Sequence, residues 1–302
     1  MKVIVLMSTY NGEKFIREQL DSLINQDLMP YKIIIRDDGS KDETINILEE
    51  YSSNYSFIEY YYGENKGTAR SNWELINKCE KADYYALCDQ DDVWFKDKLQ
   101  VAVDTLEKQG KGPLLYCGRF TLTDESLNPL NSDISKLYSY TDFPHSLIYQ
   151  TSPGCTMVFN DAARKKIVEY DIENNYCMIH DSIIHKIVAM FGTVVLDETS
   201  HMYYRQHGSN QIGLTANKVK TFFGRIEHFL SGRIKNTRSD IAKALLDVYG
   251  EQLDKDKYEL LNIVANYRND KELKNKFLKE PRFLTGTSND KFFKLLIRSD
   301  YI

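Results

Sequence analysis

Four short apolar runs alternate with amphipathic stretches through the first hundred residues, and this alternation leaves very few folds open. Val3 to Met7, Lys32 to Arg36 (KIIIR), Phe57 to Tyr62 and Asp83 to Cys88 read as strands. After the first, EKFIREQLDSLINQ sets Ile16, Leu20, Leu23 and Ile24 at helical spacing. Lys41 to Tyr51 reads as a helix with Asp42 as its N-cap, Thr68 to Cys79 as a third helix and Lys96 to Gln109 as a fourth. Strands and helices alternating at this spacing predict a mostly parallel sheet with helices on both faces. Ligands of such sheets bind beyond the carboxyl ends of the strands.

The segments at the strand ends are therefore informative. The four endings are STYNG (Ser8 to Gly12), DDGSKD (Asp37 to Asp42), GENKGTARSNW (Gly63 to Trp73) and DQDD (Asp89 to Asp92). Caps and turns favour Asp, Asn, Ser and Gly in any protein, which accounts for one or two of these endings. Repeated carboxylates on one sheet edge need more, because crowded like charges repel and their burial costs more still. A hard divalent cation such as Mg2+ or Mn2+ takes carboxylate oxygens, and a diphosphate can complete its shell. Neither a G-x-G-x-x-G after the first strand nor a G-x-x-x-x-G-K-[ST] is present, which argues against dinucleotide and P-loop sites. Phosphates bound here would need a metal and basic side chains, with Lys14 and Arg70 as candidates. Tyr10 is suited to stacking a base, and Asp37 or Asp38 to accepting from a base N–H or a ribose hydroxyl.

Further along, TSPGCTMVFN reads as a short strand after a Pro-Gly turn, His180 to Phe191 as a helix, and VVLD and HMYYRQ as two strands. Asp181 opens that helix, where it is either a dipole-stabilising charge or a general base for a hydroxyl. His207, in YRQHGSN, is structural unless DQDD leaves a metal short of ligands. From about Thr215 the chain turns helical, and KVKTFFGRIEHFLSGRIK combines basic residues with an apolar stripe. That stretch suits either an anionic membrane surface, or packing on the catalytic region or in a homodimer.

The bulk numbers narrow the class. Hydrophobic residues are 42% and charged residues 27%, as in a soluble globular protein, and the net charge of -5 gives nucleic acid no purchase. The five cysteines form no CxxC pair, so neither a disulfide framework nor a cysteine zinc site is expected. With no long apolar run and no cleavage site after MKVIVLMSTYNG, a cytoplasmic protein is expected, at most peripheral on the inner face of the membrane.

STYNG, RDDGSKD, ENKG-x-x-R-x-N, CDQDDVW, HD and YRQHGSN, in this order, resemble the family 2 inverting glycosyltransferases with the GT-A fold. CDQDDVW with YRQHGSN is most similar to the rhamnosyltransferase-type branch of bacterial cell-surface polysaccharide assembly. The match runs from Lys2 to Gly213, which sets a catalytic domain over 1–213 and a helical C-terminal region over 214–302. The resemblance implies nucleotide contacts at Thr9, Tyr10, Asn11, Asp37, Asp38, Arg70 and Asp89. It implies Mn2+ or Mg2+ held by Asp91 and His207, with Asp92 as a second metal candidate. Asp181 matches the catalytic base, although many relatives have Glu-Asp where this chain has His180-Asp181. Gly154, Cys155, Thr156, His180 and Trp94 fall on the acceptor side. The donor implied is a dTDP- or UDP-linked sugar, rhamnose on branch resemblance, with galactose, glucose and N-acetylglucosamine as rivals. The acceptor is a saccharide or lipid-linked hydroxyl. Three other readings compete: a nucleotidyltransferase, a zinc hydrolase built on His180, Asp181, His185 and His207, and a non-catalytic sugar-nucleotide-binding relative.

Overall fold

The computed structural model describes residues 1–131, 140–149, 151–175, 179–208, 237–286 and 289–301. The strands are β1 (Val3–Thr9), β2 (Lys32–Asp37), β3 (Ile58–Tyr62), β4 (Tyr84–Cys88), β5 (Val93–Trp94), β6 (Leu114–Thr123), β7 (Met157–Asn160) and β8 (Thr193–Arg205). They form one 8-stranded sheet in the order β3-β2-β1-β4-β7-β6-β8-β5. β3, β2, β1 and β4 are parallel, joined by the crossover helices α1 (Ile16–Ile24), α2 (Thr44–Asn54) and α3 (Thr68–Lys78). The strand order reverses between β1 and β4, the position at which open α/β sheets place a ligand crevice. STYNG lies at the end of one of these strands and DQDD at the end of the other.

The second half of the sheet departs from the parallel expectation. β7 runs antiparallel to both β4 and β6, and β8 returns parallel to β6. VVLD and HMYYRQ are parts of the single strand β8, which shifts register against β6 near Arg119. β5 pairs antiparallel with the far half of β8, Val93 with Tyr203 and Trp94 with Met202. The DQDD turn is therefore held at both ends, by β4 and by β5. β8 ends at Arg205 and delivers Gln206 and His207 to the same edge.

Alternate residues of β1 face opposite sides. Val3, Val5 and Met7 join Leu20, Leu23, Leu48 and Leu99 in one core, which packs α1, α2 and α4 (Lys98–Glu107) on the sheet. Ile4 and Leu6 join Trp73, Phe159 and Ile184 on the other face, with α3 and α7 (His180–Phe191). Full burial of such side chains contributes about 1.5–3 kcal/mol each. The second core also takes in Leu245 of α8 (Thr237–Tyr249), Leu261 of α9 (Lys255–Asn266), Phe277 of α10 (Lys271–Lys279) and Phe293 of α11 (Asn289–Arg298). The smaller helices are α5 (Phe143–Ser146) and α6 (Asp161–Ile167).

Asp42 does not cap α2. Its carboxylate accepts from Thr44 N at 3.1 Å, Thr44 Oγ1 at 2.6 Å and Glu13 N at 3.1 Å, and so stitches the β2 ending to the β1 ending. The basic amphipathic stretch 218–235, and Ser209 and Asn210 of YRQHGSN, lie outside the described residues. Among the described residues no helix is long and apolar enough to cross a membrane.

Candidate active site

The DQDD turn is the centre of the carboxyl edge. Asp89 and Asp92, with Cys155, present ligand atoms that all lie within 4.8 Å of one another. Asp92 is buried; its Oδ1 accepts from Arg205 N at 3.2 Å, and its Oδ2 is a buried oxygen without a hydrogen-bond partner among the described residues. Burial, then the charges of Asp91 and Asp181, push the Asp89 carboxyl up to about 7. Burial, Asp91 and Asp89 likewise push Asp92 well above the usual carboxylate range. Asp91 faces outward from this pair, and its Oδ2 lies 2.8 Å from Nε2 of His207. The His207 ring leans on Phe15 at a centroid distance of 4.7 Å.

Two buried cations stand behind the acids. Arg205 donates from Nε to the Asp91 carbonyl at 2.8 Å and pairs with the Glu18 carboxylate. Its guanidinium also lies 4.6 Å from the centroid of the Phe15 ring. Lys98, at the start of α4, donates to the Cys155 carbonyl at 3.0 Å and covers the Trp94 ring at 4.5 Å. Burial lowers its pKa.

The nucleotide-side residues form a linked set of loops. Gln90 Oε1 accepts from Tyr10 N at 2.9 Å and from the Thr9 hydroxyl, while Gln90 Nε2 donates to Tyr10 O at 3.1 Å. The carboxamide thus acts as one more rung between the ends of β1 and β4. It leaves no room at Gly12, where a Cβ would fall 2.4 Å from Gln90 Oε1. Asn11, at φ 49°, donates its N–H to Ser40 Oγ at 2.8 Å, and its Oδ1 accepts from Lys41 N at 2.8 Å. Asp37 accepts from Gly39 N and Ser40 N, both at 2.9 Å. Asp38 pairs with the buried Arg36 and accepts from Ser71 Oγ at 2.6 Å. Tyr10 is 45% exposed. Arg70, in the first turn of α3, is exposed, with Nε 3.5 Å from Glu173.

The acceptor-side residues meet at the start of α7. Residues Gly154–Thr156 make a 3-10 turn just before β7. Gly154 N donates to Asp181 Oδ2 at 3.1 Å, and Ser182 N donates to Asp181 Oδ1 at 2.6 Å. His180 is buried against Gly154, where a Cβ would come 2.9 Å from its Nε2, and burial lowers the His180 pKa. Gly154 holds Asp181 while the next residue, Cys155, groups with Asp89 and Asp92, so one turn links the two sets of acids. Trp94 is not brought to this rim. Its ring is 3% exposed in the sheet core, under Lys98, because β5 turns it inward against β8. His185 is buried too, and burial drives its pKa down to about 3. Among the described residues no metal-holding group combines it with His180, Asp181 and His207.

Gln90, Arg205, Lys98 and Arg36 are the residues sequence reasoning missed. Gln90 and Arg205 lie inside the motifs already marked, flanked by the acids and by His207. Lys98 carried no signal, because a lysine four residues after Trp94 reads as an exposed helix start. Among the described residues the group placed to hold a metal ion is Asp89, Asp92 and Cys155, whose two carboxylates suit a hard divalent cation; the Asp91–His207 pair lies beside this group and is not part of it.

The family model described as Glycosyl transferase family 2 matches residues 4–170. A dTDP-rhamnosyl transferase of Shigella flexneri, RfbG, is 30% identical over 251 residues, 80% of this chain and 85% of that protein. A putative teichuronic acid biosynthesis glycosyltransferase of Bacillus subtilis, TuaG, is 30% identical over 165 residues, 53% of this chain and 62% of its own. Among solved structures, S. aureus TarS 1-349 in complex with UDP-GlcNAc superposes with a TM-score of 0.59 at 16% identity. That match covers 100% of this chain and 80% of TarS 1-349 and is a likeness of fold.

Proposed function

The chain belongs to glycosyltransferase family 2, and from that premise we propose that it moves a sugar from a nucleoside-diphosphate donor to an acceptor hydroxyl with inversion. The observation that carries this reading is the pairing of two carboxylate sets on one edge. The DQDD acids lie at the end of β4, grouped with Cys155, and the neighbouring Gly154 N and Ser182 N orient the two oxygens of Asp181.

The roles rest on the chemistry of each group. Tyr10 stacks the base, and the loop carrying Thr9, Asn11, Asp37 and Asp38 shapes the nucleoside pocket. Asp89 meets the ribose, while Asp91, His207 and Asp92 would hold Mn2+ or Mg2+ against the diphosphate. That cation, when bound, supplies positive charge for the leaving group. Arg70, exposed on α3, adds a second positive charge to the departing diphosphate. Asp181 takes the proton of the acceptor hydroxyl, and the freed oxygen attacks the anomeric carbon from the face opposite the diphosphate. One C–O bond forms as the other breaks, so the configuration inverts. The Gly154–Thr156 turn and His180 are buried and support Asp181 from behind on the acceptor side.

The Shigella relative makes dTDP-rhamnose the first donor to test, with UDP-linked hexoses as the comparison set. A bacterial cell-surface polysaccharide, or its lipid-linked precursor, is the acceptor class. Titration calorimetry with dTDP and UDP, each with and without manganese, tests the donor half. Metal-dependent binding of one nucleotide is expected, and binding indifferent to metal would remove DQDD from the diphosphate. Asp181→Asn should keep that binding and lose about 10²–10⁴-fold in turnover. A variant that turns over normally would take the base role from Asp181.

A further inference from the structure

We propose that the outward face of α11 is a docking surface for an anionic lipid bilayer. The helix divides sharply. Phe293, Leu296 and Ile297 are 4%, 8% and 0% exposed and join the core. Phe292 and Leu295 are 54% and 53% exposed, although both are large and apolar. At about 100° per residue they share an arc of about 120° with Lys291 and Arg298, both exposed. An apolar pair beside basic side chains is the pattern of a helix lying in a membrane interface, its rings among the acyl chains and its cations on lipid phosphates.

The charge around the helix favours this occupant. The chain carries -5 overall, yet α11 itself holds Lys291, Lys294 and Arg298 against Asp290 alone, while outside it Lys274, Lys276 and Arg282 are paired with Asp300, Glu272 and Glu280. Asp290, the one acid within α11, is engaged in the cap, accepting from Thr285 N and from Gly286 N, both at 2.9 Å. Glu280 is paired with Arg282 at 2.7 Å. A second copy of the chain is disfavoured, because a two-fold contact through this face would set its basic fringe against itself.

The surface is joined to the proposed acceptor side. The Phe293 ring packs 6.1 Å from Tyr149, and α5, which precedes Tyr149, packs on α7, whose first turn carries Asp181. A helix held at the bilayer would therefore keep a lipid-linked acceptor within the enzyme's neighbourhood. The docking surface itself stands on α11 alone and is tested apart from the reaction.

The test is co-sedimentation of the full chain with vesicles of phosphatidylglycerol and phosphatidylcholine, against phosphatidylcholine alone. Binding to the anionic vesicles only is expected, weakening as salt is raised. Phe292→Ser with Leu295→Ser, and separately Lys291→Glu with Arg298→Glu, should each weaken it about tenfold. Melting temperature and nucleoside-diphosphate binding should stay those of the parent, since all four side chains are exposed. A parent chain that ignores anionic vesicles overturns the proposal. So do variants that bind like the parent, which would put the contact elsewhere. Loss of a dimer in both variants, with vesicle binding unchanged, would give the face to a second copy.

Discussion

At the scale of single residues, the carboxylates of the DQDD turn carry a cost that folding alone does not recover. Asp89 rises from the ordinary 3.8 to about 7, chiefly through burial. Between these values the native chain keeps a proton that the unfolded chain has released. The native state therefore binds more protons, and stability falls as pH rises through this window. It is fully present below the unfolded value and lost above about 7. Asp92, raised by the same causes, adds to the fall with the same sign. In chelator, the melting temperature should drop from about pH 5 to about pH 8, and Asp89→Asn should flatten that drop. Manganese, for which the proposed ligands include ionised Asp92, should raise melting more at the upper pH than at the lower. A flat profile in scanning calorimetry would mean that these acids ionise in the native state as they do in the unfolded chain. The acids themselves were legible, since three Asp in four residues after an apolar run stand out in any reading. Their answering cations were not. Arg205 reaches the turn from the end of β8 and Lys98 reaches the Cys155 carbonyl beside it from α4, and one sequence does not report which distant side chains meet.

At the scale of elements, strand ends do the positioning. The parallel half of the sheet was readable because each of its strands is followed by a helix of matching period. The other half was not. β5 has two residues, too few for any periodic signal, and its partner lies more than a hundred residues on. β8 reads as two strands because Glu198 and Thr199 interrupt the apolar pattern. Its continuity comes from pairing with β6 on both sides of that break. Gln90 shows what such joints do. It closes β1 to β4 with its side chain, where the backbone ladder has already ended at Met7 and Cys88. Gln90→Ala removes these bonds at a partly exposed edge, so the fold should lose only about 1 kcal/mol per bond. The loop carrying Tyr10 should nevertheless loosen. Donor KM is expected to rise about tenfold with kcat within a few-fold, because binding must first order the loop. Equal loss in kcat would mean that Gln90 also shapes the reacting centre.

At the scale of the whole molecule, the change of character near Thr215 suggests two regions, and the packing decides how separable they are. An amphipathic helix announces its apolar face but not what the face covers. That is why the amphipathic helices were readable in the sequence and the surface they cover was not. Phe277 of α10 is fully buried among Tyr267, Phe283 and Phe293, with ring centroids 5.0–5.4 Å away. The same hydrophobic cluster continues through Tyr249, whose ring lies 5.3 Å from Phe191 of α7 and whose hydroxyl donates to the Lys166 carbonyl at 2.7 Å. From there it reaches Trp73 and the sheet residues Ile4 and Leu6. Helices sharing a core with the sheet should melt with it. Phe277→Ala should therefore cost about 3–5 kcal/mol and lower the melting of the whole chain. One calorimetric transition is expected, displaced as a unit, with nucleotide binding lost over the same range. Two transitions, of which the substitution moves one, would show that the C-terminal helices fold on their own. The sheet would then carry the donor site without them, and the contacts of the C-terminal helices with Tyr149, Lys166 and Phe191 would be a seam between two folding units.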